Sequence, residues 1–395
     1  MLRIDKINIC NINSISNLQL DFQPGVNILC GTNGIGKTTI LECISHPFRR
    51  TSYGIRKTVN SETSFYEIDM VLDEKKENYF FELPENNDNY IELLNRQRII
   101  SRKFIYHNIS HRQTSSHGYL RIRDNDEIPI VRSEYDAVKG WFYRCYFKKK
   151  QMSEAKFSNF ILTKEVFNKL DPSVTFVEAL EKHVKLRLRE ELIRSVEILL
   201  ETPHGIISMD FMSSGYKACF CILFGIIRTI EERLNMSVEY FDGIVLIDEI
   251  DLHLHPEWQT KIVNILKWLI PNSQIIITTH SPHVIQNAGQ GEIIPLGVDR
   301  ENRMFVRDLP ESSEYGFQGW TVEEILVHVM GLSDLRSNVF REKLNRFEEA
   351  LDNENIKAIR ENYVALKSMI HYRNPLATLL KIQAEEFFDE EEEQK

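Results

Sequence analysis

Cysteine is scarce and scattered. The six thiols, Cys10, Cys30, Cys43, Cys145, Cys219 and Cys221, form no Cys-x-x-Cys pair and no metal-ligand spacing. That excludes a disulfide framework and a zinc module, and leaves reduced, buried thiols of a cytoplasmic protein as the expectation. Long hydrophobic runs are missing too. The most apolar one, Cys219 to Ile227, is too short to span a bilayer and is bounded by Lys217 and Arg228. Arg3, Asp5 and Lys6 interrupt any signal-type apolar start, so the chain is expected to be soluble, with no membrane partner. Positive charge is not in excess: 48 Lys and Arg against 58 Asp and Glu leave −10. No global basic field advertises nucleic acid or an anionic surface, although one face can still carry a local patch. There is no internal repeat and no sustained heptad series of the kind that builds a long coiled-coil arm.

What is present suffices for a large core. With 42% hydrophobic and 27% charged residues over 395 positions, one large domain with an appendage is expected. The chemistry is stated most clearly at Gly31-Thr32-Asn33-Gly34-Ile35-Gly36-Lys37-Thr38, a G-x-x-x-x-G-K-[ST] loop. In such a loop the glycines let backbone N–H groups of Asn33, Gly34 and Gly36 turn inward on phosphate oxygens. Lys37 reaches the β- and γ-phosphates, and the Thr38 hydroxyl holds Mg²⁺, with Thr39 beside it. The apolar run Val26 to Cys30 ahead reads as a buried strand, and Lys37 to Ser45 behind as a helix closed by Pro47. A strand feeding the loop and a helix leaving it aims a positive helix end at the phosphates.

A second acidic anchor follows at Gly243-Ile-Val-Leu-Ile-Asp248-Glu249. An apolar strand ending in two acids puts carboxylates at the edge of a buried sheet. There Asp248 would coordinate the ion and Glu249 would orient and deprotonate the attacking water. A third motif is Met212-Ser213-Ser214-Gly215-Tyr216-Lys217, a polar turn with Ser213 as helix cap and free N–H groups behind it. Alone it would be an ordinary cap.

Along the chain, strands are expected over residues 2 to 10, 15 to 22 and 26 to 30, with a hairpin of 64 to 72 and 78 to 83 joined by the polar Asp73 to Glu77. From Glu134 the period turns helical. Val177, Leu180, Val184, Leu188, Leu192, Val196 and Leu199 fall at steps of three or four, which predicts one long amphipathic helix over Val174 to Leu200. A further helix is expected over Gly215 to Leu234. Central parallel strands are expected at Gly243 to Ile247 and Gln274 to Thr278. Helices return over Thr321 to Met330, Asp334 to Leu351, Ile356 to Ile370 and Pro375 to Phe388, the middle two as a packed antiparallel pair. Asp389 to Lys395 reads as a solvated acidic tail.

The three motifs, with Thr278-Thr279-His280-Ser281 after the next strand, resemble the ATPase head of the ABC superfamily in its RecF-like and chromosome-maintenance branch. The stretch Asp251-Leu-His-Leu-His255-Pro256, with Tyr315-Gly316 ahead of Glu323-Glu324-Ile325-Leu326, narrows the likeness to the PtuA-type ATPases of Septu antiphage defence. The fold implied is an α/β P-loop NTPase, an ABC-type head over 1–310 and a C-terminal helical interaction module over 311–395. The head has an α/β lobe (1–95 and 240–310) and a mainly helical lobe (96–239). The resemblance implies binding and hydrolysis of ATP with Mg²⁺ and assembly into homodimers or higher oligomers. It also implies a separately encoded HNH-type nuclease as partner. It further implies that Ser213, Ser214 and Gly215 complete the site of a partner subunit and that His280 senses the γ-phosphate. The chain departs from the family at Ser214, where Gly is common, and at Tyr216, where Gln is common. The glutamine that usually follows the first lobe has only Gln97 and Gln113 as candidates.

Other readings stay in view. His253, His255, His280 and His283 could be a zinc site, but alternate loop positions fit a nucleotide edge better. His107-Asn108-Ile-Ser-His111 mimics a nuclease motif without its metal ligands. Basic residues from Arg96 to Arg132 and Lys148 to Lys150, interleaved with Tyr106, Tyr119 and Tyr143, leave DNA or another nucleic acid open as a ligand, beside the acidic face of a protein. The rival functions are a RecF-like repair ATPase binding DNA directly and a nucleotide-locked scaffold with negligible turnover.

Overall fold

A computed structural model describes residues 1–48, 54–59, 61–83, 100–108, 120–122, 129–130, 133–185, 192–311, 313–332, 335–385 and 387. Gln97, Gln113, His111 and the acidic tail lie outside these residues, as does most of the Arg96 to Arg132 cluster. Two compact units are present, Met1–Gly331 and Leu332–Lys395.

The first unit is built on a six-stranded sheet. Its strands are β3 (Val26–Cys30), β6 (Phe104–His107), β12 (Ile244–Ile247), β13 (Gln274–Thr279), β14 (Ile293–Val298) and β15 (Met304–Val306), in the order β15-β14-β3-β13-β12-β6. All pairings are parallel except β14 with the edge strand β15. Every residue of β3, β12 and β13 is buried, as strands covered on both faces require. β6 falls in the segment expected to be mainly helical, yet it is an edge strand of this sheet.

A second, antiparallel sheet runs β2-β1-β4-β5, from β1 (Leu2–Ile12), β2 (Ile15–Asp21), β4 (Phe65–Leu72) and β5 (Lys75–Glu82). The β4–β5 turn is tighter than expected. Only Asp73 and Glu74 make it, both left-handed (φ 46° and 70°), and Lys75 to Glu77 are strand. Charges there blunt an open sheet edge. The two sheets share one core, and a buried amide joins them. The Ile4 N–H donates to Gln274 Oε1 (2.7 Å), while Gln274 Nε2 donates to the Ile4 and Gln23 carbonyls (2.8 and 3.1 Å).

The long helix expected over Val174 to Leu200 does not exist. The segment forms β9 (Thr175–Lys185) and β10 (Leu192–Thr202), paired antiparallel with Val196 opposite Glu181 and Leu200 opposite Phe176. The buried residues recur at period two: Val196, Ile198 and Leu200 are buried, whereas Val177 is 40% exposed. Steps of three and four had gathered residues from both faces of two strands. β7 (Leu120–Ile122), β8 (Pro129–Ile130) and β11 (Gly205–Ser208) complete this third sheet.

Helices expected elsewhere in the unit are present: α1 (Lys37–Ser45), α2 (Glu134–Lys148), α3 (Glu154–Leu170) and α4 (Ser214–Leu234). α4 is seated by aromatics, with Phe220 4.9 Å from Phe167 and Phe224 5.8 Å from Phe142, ring centre to ring centre. Thr321 to Met330 begins as helix, with a capping box between Thr321 and Glu324, then widens to a π-helix over Ile325–Val329. In the second unit, helices Asn338–Asp352, Ile356–Met369 and Pro375–Glu385 bury Leu344, Phe347, Ile359, Leu366 and Leu380. The first starts later than expected because Ser337 caps it.

Candidate nucleotide site

The C-terminal ends of the central parallel strands are where an open α/β sheet offers a crevice. β3 delivers the Gly31–Thr38 loop there. Gly36 adopts φ 108°, a left-handed conformation that favours glycine. It precedes α1 without any side-chain cap, leaving that helix end open to an anion. Asn33 and Gly34 are exposed, and Thr39 Oγ1 accepts from Asn13 Nδ2 at 3.2 Å.

Lys37 is 5% exposed. Its Nζ donates to the Gly31 and Thr32 carbonyls (both 3.0 Å) and stands 3.4 Å from His280 Nδ1. Burial pulls its pKa down to about 8, while Cys30, Glu249, Asp248 and Asp251 act in the opposite sense. A buried ammonium whose hydrogen-bond partners are loop carbonyls and an imidazole nitrogen gains from any phosphate entering the loop.

β12 delivers Asp248 and Glu249. Asp248 is 2% exposed and receives Thr38 Oγ1 at 3.2 and 3.1 Å, and Thr278 Oγ1 at 2.7 Å. The Thr278 hydroxyl accepts in turn from the Glu249 N–H at 2.6 Å. Glu249 takes φ 47°, so the chain turns sharply as it leaves β12. A hydroxyl against a carboxylate is a hard-oxygen donor set, which suits Mg²⁺. β13 delivers His280, half-buried. Burial and the Lys37 ammonium hold its pKa below the ordinary imidazole range, so the ring is neutral near pH 7.

Lys37, Thr38, Asp248, Glu249 and His280 thus converge at one sheet edge. Ser213, Ser214 and Gly215 do not join them: among the described residues no hydrogen bond or ion pair links the turn to the phosphate loop. Ser213 Oγ accepts from the Tyr216 N–H at 3.3 Å, and Ser213 and Ser214 are exposed. Gly215 is wedged under the loop after Glu249; a Cβ would fall 2.7 Å from Trp258 Cζ3 and 2.8 Å from the His253 carbonyl. Of the histidines weighed as a zinc site, His255 caps a short helix by accepting from the Glu257 N–H. Among the described residues no three potential metal ligands cluster. Sequence reasoning missed Thr278 as the bridge between Asp248 and Glu249. The available signal was a hydroxyl closing the strand beside an acidic strand end.

This fold and site define an α/β domain of the P-loop NTPase class. A family model described as "AAA domain, putative AbiEii toxin, Type IV TA system" matches residues 26–286. Septu protein PtuA of Bacillus thuringiensis is 36% identical over 98% of this chain and 99% of its own length. The chain belongs to that AAA-domain family and, within it, with Septu protein PtuA. Retron Vc95 probable ATPase of Vibrio cholerae is 25% identical over 74% of this chain and 73% of its own. A solved Smc head domain from Pyrococcus furiosus superposes with TM-score 0.47 at 14% identity, over 78% of this chain and 96% of that one. No helix among the described residues is long and apolar enough to cross a membrane.

Proposed function

We propose that this protein binds and hydrolyses ATP and thereby gates a separately encoded HNH-type nuclease in antiphage defence. The observation that carries the ATPase reading is the convergence of Lys37, Thr38, Asp248, Glu249 and His280 at one sheet edge. Backbone N–H groups of residues 33–38 and Lys37 Nζ bind the phosphates. Mg²⁺ held by Thr38 and Asp248 supplies charge neutralisation on the phosphate oxygens. Glu249 orients a water and takes its proton as the oxygen attacks the γ-phosphorus. His280, neutral and beside Lys37, donates a hydrogen bond to the γ-phosphate.

The exposed Ser213 and Ser214 at the N-terminus of α4 are the part of the site that a second copy would supply. Gly215 is a poor probe of this because any side chain there collides with Trp258. Ser213→Asp is cleaner: it keeps a capping oxygen and adds a charge that repels a partner's phosphate. Mixed with Lys37→Ala chains, it forms heterodimers in which one site carries both lesions and the other neither. Equal mixing of these two inactive chains should restore about one quarter of wild-type turnover, since half of randomly paired dimers each keep one intact site. No recovery, with the heterodimer seen by mass, removes the shared-site reading.

The unit after Gly331 has its own small core and none of the nucleotide residues. This smaller unit, rather than the whole of 311–395, is the module proposed to dock the nuclease. Truncation after Gly331 should leave an ATPase that no longer co-purifies with the proposed HNH-type nuclease. Retained co-purification would move the docking surface to the head, and direct DNA binding by the truncated head would favour the repair reading.

A further inference from the structure

The loop after Glu249 is latched to the turn that carries His280. Asp251 Oδ1 accepts from both the Thr279 hydroxyl (2.6 Å) and the His280 N–H (3.1 Å), so one oxygen fixes the peptide from which the imidazole hangs. Behind it, the Ile250 N–H donates to the Thr278 carbonyl at 3.0 Å. Gln259 closes the far end. Its Oε1 accepts from Ser281 Oγ (2.6 Å), and its Nε2 donates to the Leu254 and Asp251 carbonyls (2.9 and 3.3 Å). Between these clamps His253 is held left-handed at φ 67°, a conformation a non-glycine residue keeps only when its surroundings impose it.

We infer that Asp251 is a positioning residue that sets His280 against Lys37, with Gln259 locking the loop from which Asp251 projects. This rests on the ATPase reading above and adds a residue to it. The His280 ring stands 3.4 Å from Lys37 Nζ, so a tilt of its peptide moves the ring directly relative to the phosphate loop. Removing the shared acceptor leaves the His280 N–H and the Thr279 hydroxyl to find other partners. A misplacement of about 1 Å at a reacting centre costs up to about a hundredfold in rate. Nucleotide affinity rests on the phosphate loop and should be little affected.

The experiment compares kcat and ATP affinity in the full chain for Asp251→Ala, Asp251→Asn, His280→Ala and the double Asp251→Ala/His280→Ala. Asp251→Ala should lose about ten- to a hundredfold in kcat with ATP affinity within about threefold. Asp251→Asn keeps the acceptor oxygen and should recover most of that loss. Because Asp251 acts through His280, the double variant should be no slower than His280→Ala alone. Multiplying losses would overturn the inference, as would an Asp251→Asn as slow as Asp251→Ala, which would mean the charge itself meets the metal or nucleotide. If Asp251→Ala does not fold, Gln259→Leu breaks the rear clamp and should show a smaller kcat loss, again absent in the His280→Ala background. If the wild type proves not to turn over ATP, the ATPase reading fails separately. The latch is then read from the His280 imidazole resonance, which should move in Asp251→Ala; an unmoved resonance removes the latch.

Discussion

Lys37→Ala should yield a folded protein whose binding of ATP is no longer detectable by calorimetry. The ammonium is the one buried cation among the phosphate-loop residues, and it is placed to exchange two loop carbonyls for β- and γ-phosphate oxygens. Two charged hydrogen bonds at about 1.5–3 kcal/mol each correspond to at least about a hundredfold in affinity. Folding should survive, because alanine leaves no buried charge behind and the apolar contacts of α1 are untouched. The wild type gives an internal check. Burial lowers the Lys37 pKa to about 8 in the nucleotide-free protein, whereas bound phosphates would favour the ammonium and raise it. Binding should therefore weaken as pH rises above about 8 and should take up a proton there, measurable by calorimetry in buffers of different ionisation enthalpy. An unchanged ATP affinity in Lys37→Ala would take away the basis of the proposed function.

Glu249→Gln should keep ATP binding and lose at least about a hundredfold in turnover, the size of effect a positioned base supplies. The amide preserves shape and the N–H bond to Thr278, so the backbone turn at φ 47° stays as it is. It cannot take a proton from water. Trapped ATP in Glu249→Gln heads should also lengthen the lifetime of head pairs, seen as an ATP-dependent increase in mass. Wild-type turnover already as slow as that of the variant would favour the nucleotide-locked scaffold.

The parts of the site that the sequence announced are those in which contiguous residues do the work. The phosphate loop, the Asp248-Glu249 pair and the strand feeding each are local statements, readable from spacing and apolar runs. The convergence of Lys37 with His280 depends on β13 lying between β3 and β12, an order that no run of residues declares. The error at Val174 to Leu200 has the same origin. Each of those strands becomes a strand by pairing with the other across a connection, and its apolar residues admit a helical spacing until that partner is known. The parts played by Asp251 and Gln259 were not legible because each holds its place through side-chain hydrogen bonds to a strand end or turn that only the fold brings beside it, whereas Thr278 left the weak signal of a hydroxyl near a strand end.

The amide bridge of Gln274 has a mechanical consequence. Neighbouring strands in a sheet share strain along a ladder of bonds, but β1 and β13 meet through one side chain at its two ends and through apolar contact. Under a pull transmitted through the antiparallel sheet, strain would concentrate on that amide rather than spread along a strand. Once its bonds with Ile4 and Gln23 rupture, the Leu2 N–H bond to the Asp242 carbonyl (2.9 Å), the N-terminal ammonium beside the Asp242 carboxylate and side-chain packing are left to resist further separation. In a single-molecule stretching experiment this seam is where the first extension step belongs, with the phosphate loop on β3 still seated in the parallel sheet.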